Sequence, residues 1–105
     1  MEPDKDIERI KEIIIKTSHP EKIILFGSRA TGNYSKDSDY DILVLKKDLK
    51  NERTLSREIY RALYNNKVKN PVDIIAVDSV KWSKEKDNKY LIYNEVNTSG
   101  IVLYG

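Results

Sequence analysis

The stretch that most constrains this chain is residues 26–44, F-G-S-R-A-T-G-N-Y-S-K-D-S-D-Y-D-I-L-V. A short apolar run over 23–26 ends abruptly at Gly27 and Ser28. A second run, over 42–45, follows two aspartates spaced by one residue, Asp39 and Asp41. Apolar runs this short, bounded by turn-forming residues, fit buried strands. If 23–26 is one strand and 39–45 its neighbour, the alternation of strand side chains puts both carboxylates on one face. A chain built this way brings a glycine-serine turn and a pair of acids to the same end of a sheet.

That pairing has a chemical reading. Magnesium takes hard oxygen ligands and is usually held by one or two carboxylates together with substrate phosphates. The missing side chain at Gly27 lets backbone approach an anion, the amides of a helix beginning near Ser28 can meet it, and the Ser28 hydroxyl adds a donor. Two competing motifs fail. Gly27 and Gly32 have the glycine spacing of a P-loop, but Asn33 and Tyr34 stand where Lys and Ser or Thr are required. Asp37, Asp39 and Asp41 match the opening of a calcium loop, but Ile42 and Asp48 replace its obligatory Gly and Glu.

Gly-Ser, ten residues, then Asp-x-Asp, in the form G-S-R-A-T-G and S-D-Y-D, resembles the minimal nucleotidyltransferase (MNT) domains of the DNA polymerase β-like superfamily. The resemblance covers nearly the whole chain and extends to the segment Gly100-Ile-Val-Leu-Tyr104. It implies an α/β (α+β) fold, a small mixed sheet of three to four strands flanked by helices. It also implies a third carboxylate on a later strand, which Asp73 in N-P-V-D-I-I-A-V matches. From the residues alone, Asp73 is either a carboxylate held by a partner or metal, or a solvated residue at a strand's exposed start; the resemblance favours the site.

The rest of the chain reads as one domain over 1–105. Ile7, Ile10, Ile13 and Ile14 form one face of a helix over 4–17, with Pro3 and Asp4 at its start and Ser18-His19-Pro20 ending it. His19, the only histidine, has no second ligand nearby and reads as a loop residue. A helical turn over 29–32 and a polar loop over 33–38 precede the aspartates. A second helix over 51–64 turns Leu55, Ile59, Ala62 and Leu63 inward and carries Arg53, Arg57 and Arg61 every four residues, a row that reads as its solvated side. A strand over 72–77 follows Pro71, with Asp73, Ile75 and Val77 on one face. Residues 79–96 read as connector then helix, with Leu91, Ile92 and Val96 as a buried stripe and Trp82 and Tyr90 as core or groove-wall aromatics. Gly100 stops that helix, and 101–103 is a short extended tail able to dock on the sheet or on another protein.

Composition narrows the function. A formal net charge of +2, with charged residues making up 34% of the chain, offers no global field for nucleic-acid binding. The absence of cysteine excludes disulfide and thiolate chemistry. No apolar run approaches the roughly 20 residues of a membrane span, and the N-terminus does not read as a signal peptide, so a cytoplasmic protein is expected.

By resemblance, the expected activity is Mg-dependent nucleotidyl transfer with ATP as substrate and two Mg²⁺ ions. Asp39 and Asp41 would hold both metals, and Asp73 the second while taking the acceptor proton. Gly27, Ser28 and Arg29 would hold the outer phosphates. Larger relatives close their cleft with a separate helical domain, so half of this cleft is expected from elsewhere. MNT proteins pair with HEPN-domain toxins, and some transfer AMP to a partner tyrosine, so a hetero-oligomeric antitoxin of that kind is the leading expectation. An antitoxin that neutralises its partner by binding alone is the second, and a general RNA-processing transferase the third.

Overall fold

Isoleucine at helical spacing builds the first element. In the computed structural model, which describes residues 4–105, α1 (Lys5–Ser18) buries Ile7, Ile10, Ile13 and Ile14 on one face. The Asp4 carboxylate caps its start, accepting from the amides of Asp6 and Ile7 at 3.0 and 3.1 Å, which would otherwise lack partners. Pro3 lies outside the described residues. His19 ends the helix in a left-handed conformation (φ 47°) and donates its amide to the Ile15 carbonyl. The loop role read for it agrees with that turn.

The chain then runs β1 (Lys22–Phe26), α2 (Ser28–Thr31), β2 (Tyr40–Lys46), α3 (Glu52–Asn65), β3 (Val72–Asp78), α4 (Ser79–Glu85), α5 (Ile92–Ser99) and β4 (Ile101–Tyr104). The strands form one mixed sheet in the order β3-β2-β1-β4. β1 pairs antiparallel with both β2 and β4, while β2 and β3 run parallel and are joined through α3. Parallel neighbours need such a crossover. This is the mixed α/β sheet flanked by helices that the sequence led us to expect.

Alternation along the strands feeds two cores. Ile23, Leu25, Tyr40, Ile42, Val44, Ile74 and Ala76 face α1 and α3. Ile24, Phe26, Leu43, Leu45 and Val77 face Trp82 of α4 and Val96 of α5. Residues 42–45 are buried throughout, as a strand covered on both faces must be. Asp41 and Asp73 share the parity of Leu43 and Val77, so they belong to the face covered by α4 and α5, at the sheet end where that cover opens.

Three expectations are corrected. Helix α4 begins directly at Ser79, with no connector, because the Asp78 carboxylate caps it by accepting from the Val80 amide at 3.0 Å; the connector comes later, over 86–91. Of the expected buried stripe only Val96 is buried, since Leu91 is the cap residue of a short helix and Ile92 lines a cleft. Tyr90 is 96% exposed and walls nothing, whereas Trp82 is core and packs against Tyr93 with ring centroids 5.9 Å apart. The extended tail is β4, docked on β1.

Candidate active site

Gly27 follows β1 with φ 72°, a conformation that L side chains rarely adopt. A β-carbon there would overlap Oδ2 of Asp41 and stand 3.1 Å from its Cγ. The glycine therefore lets the backbone turn lie directly against the carboxylate. α2 starts at the next residue, Ser28, and its first amides have no carbonyl behind them in the helix.

Asp41 pairs across β2 and β3 with Asp73. In-register neighbours on adjacent strands point their side chains to the same face, so the two carboxylates stand side by side. Gly27, Asp41, Asp73, Tyr60, Ile92 and Glu95 line one cleft of about 430 Å³. The Asp41 carboxyl is held above the usual carboxylate range, first by burial and then by the negative charges of Asp73 and Asp39, by a hydrogen bond with Asp73, and by Glu95. Asp39 is exposed and precedes β2, which begins at Tyr40, so it sits at the strand's entry beside the cleft. Ser28 follows the cleft-lining Gly27 as the first residue of α2.

Arg29 makes a different set of contacts from those of a free phosphate ligand. Its Nε donates to the Ser38 carbonyl at 2.9 Å, and one terminal nitrogen donates to the carbonyls of Lys36 and Ser35 at 3.1 and 3.4 Å. Its guanidinium carbon lies 3.9 Å from the centre of the Tyr40 ring and 4.9 Å from that of Tyr34. Tyr40 points away from the two aspartates it separates. Its hydroxyl donates to the Asp4 carboxylate at 2.9 Å, and burial and that carboxylate push its pKa up to about 12.

Glu95 and Tyr60 escaped the sequence reading. Ile92 and Glu95, three apart on α5, share a helix face, and that spacing was the available signal. Tyr60 sits among arginines on α3, and its hydroxyl accepts from the Ile74 amide at 2.8 Å, satisfying a donor next to Asp73 on the edge strand. Nothing in the sequence pointed to that bond.

The residues fit a hard divalent cation. The cleft gathers carboxylates of one sign, and an anionic substrate enters such a place only with a cation between. Among the described residues no group of three or more His, Cys, Asp or Glu side chains is placed to hold a metal ion by itself, so substrate phosphates would have to complete the shell. Magnesium is commonly bound by one or two carboxylates and completed by substrate phosphates.

A family described as polymerase beta, nucleotidyltransferase, matches residues 8–105. None of the curated proteins matches the sequence. Among solved structures, a protein of Sulfolobus solfataricus assigned as a nucleotidyltransferase is 28% identical over 93% of this chain and 76% of its own, with a TM-score of 0.63. A toxin-antitoxin complex with AMP-PNP is 24% identical over 97% of this chain and 74% of the other, at a TM-score of 0.57. A mutant of the MntA-HpeT toxin-antitoxin is 20% identical over 93% and 72%, at 0.60. At those identities the last two speak for the fold.

Proposed function

The chain belongs to the polymerase beta nucleotidyltransferase family, and from that premise we propose that it transfers AMP from ATP to a hydroxyl of a partner protein, acting as the antitoxin of a toxin-antitoxin pair. The observation that carries the reading is the in-register pair Asp41 and Asp73 beside the Gly27 turn, with Asp39 next to them. Toxin-antitoxin structures among the fold relatives, one of them with AMP-PNP, support the choice of partner and nucleotide. The partner we favour is a HEPN-type helical toxin, with a tyrosine as acceptor.

Asp39, Asp41 and Asp73 would hold magnesium. When bound, it supplies charge neutralisation on the triphosphate and eases deprotonation of the acceptor. The chain's own residues do the rest. Gly27 and Ser28 receive the outer phosphates at the turn. Asp73, at the open edge, takes the proton of the acceptor hydroxyl as its oxygen bonds to the α-phosphorus. The bond from that phosphorus to the β-phosphate bridging oxygen breaks, and pyrophosphate leaves. Tyr60 holds the Ile74 amide and so steadies the backbone behind Asp73.

The test is intact-mass analysis of the co-encoded helical partner after incubation with the protein, ATP and magnesium. A gain of one adenylate per transfer, lost with Asp41→Asn, is expected. A partner that is neutralised at unchanged mass, equally well by Asp41→Asn, would establish neutralisation by binding alone.

A further inference from the structure

We propose that Arg29 is a positioning residue which fixes Asp39 relative to Asp41, and so sets the affinity of the acidic row for a divalent cation. The inference rests on the reading of that row given under the proposed function, and it replaces direct phosphate contact as the role of Arg29.

Asp39 has a structural problem that Asp41 and Asp73 lack. Those two sit in the sheet ladder, whereas Asp39 stands outside β2 at the end of an exposed loop. Arg29 touches the residue on either side of it. Nε holds the Ser38 carbonyl, and the face of the guanidinium covers the Tyr40 ring. The same group takes the carbonyls of Ser35 and Lys36. The loop closes on itself as well, with the Ser35 amide donating to the Ser38 hydroxyl at 3.0 Å and the Ser38 amide donating to the Ser35 carbonyl at 3.2 Å.

The far end of the arrangement is also tied down. Tyr40 is buried and its hydroxyl reaches the Asp4 carboxylate, which caps α1. Tyr40 is the residue between the two aspartates, and strand alternation sends it to the opposite face. Anchoring it orients the backbone that carries both carboxylates. Only a planar guanidinium can donate in its plane to several carbonyls while stacking its face on a ring. Arg29 meets no carboxylate in an ion pair among the described residues, so its donors serve the loop.

The test uses Mn²⁺ binding to the full chain without nucleotide, read by electron paramagnetic resonance, for the parent, Arg29→Lys, Arg29→Ala and Asp41→Asn. Losses of partners behind metal ligands typically weaken binding by about 10- to 100-fold. Both Arg29 variants are expected in that range, with faster amide exchange over residues 36–39. Arg29→Lys keeps the charge and the stem, so its loss reports the planar fork rather than a collapse of the fold, and its unfolding midpoint is measured alongside. Parent-like Mn²⁺ affinity in Arg29→Lys and Arg29→Ala overturns the inference, and a selective loss of ATP binding in the presence of chelator would make Arg29 a phosphate ligand. If Asp41→Asn also binds Mn²⁺ like the parent, the cation reading of the row falls and this inference falls with it.

Discussion

Asp41 and Asp73 stand opposite one another on adjacent parallel strands, two carboxylates side by side with no cationic side chain among the described residues that line their cleft. Their proximity destabilises the free protein in exchange for a place where a cation is wanted. Asp73→Asn should therefore raise the stability of the metal-free protein by about 0.5 kcal/mol, the size of a partly screened charge interaction, while abolishing adenylate transfer. Urea unfolding in chelator and intact-mass assays of the same variant check both halves. A less stable Asp73→Asn would mean that the pair is not repulsive.

Gly27→Ala attacks the turn. Its β-carbon collides with the Asp41 carboxylate, and the backbone is at φ 72°. The strain should cost more than about 1 kcal/mol in the denaturant midpoint. Displacing Asp41 by even an ångström should slow transfer by about 100-fold. A fully active Gly27→Ala protein would contradict the placement of the site against this turn.

Asp78 gives the acid limb of stability a specific contributor. Its carboxylate accepts from the Leu49 amide at 2.9 Å and from Val80, and these bonds hold its pKa below the ordinary 3.8. The folded state thus binds this proton less readily than the unfolded chain does. The stability it contributes is present above 3.8 and is lost as pH falls through the lower folded value. Asn caps a helix nearly as well, so Asp78→Asn should fold at neutral pH yet show a shallower loss of stability between about pH 5 and pH 2. Thermal melts across that range compare the slopes, and equal slopes would refute the assignment.

Gly100 is the joint between α5 and β4. A β-carbon there would run into the Val96 carbonyl and the Ile24 side chain. Gly100→Ala should destabilise the fold by about 1–3 kcal/mol, as overpacking does. Amide exchange should rise first in residues 101–104, where β4 meets β1. Uniform exchange across the sheet would show that the joint is not local.

The sequence made the helices and strands legible wherever periodicity was strong. The isoleucines of α1 and the runs of β1, β2 and β3 fall where they were read, because apolar spacing reports a buried face directly. Alternation groups Asp41 with Leu43 and Asp73 with Val77 within their own strands, and it is the register of β2 against β3 that brings the two carboxylates to one face. Around 79–92 the reading slipped, since a cap such as Asp78 needs only one residue and Leu91 and Ile92 look apolar whether or not anything covers them. The partners of Arg29 were illegible for a different reason. Three are backbone carbonyls, which every residue carries, so no residue type marks them.

The pairing of Ile23 with Tyr104 and of Leu25 with Ile101 has a consequence for how the molecule is made. On the ribosome β1 emerges early, and β4, the strand that covers its outer edge, follows only after β2 and β3. Until then a nascent chain carries an open, aliphatic edge beside its carboxylates, and such edges recruit foreign strands. α5 is made just before β4, and with it Glu95, so the cleft acquires this wall well after the strands that carry Asp41 and Asp73 have been made.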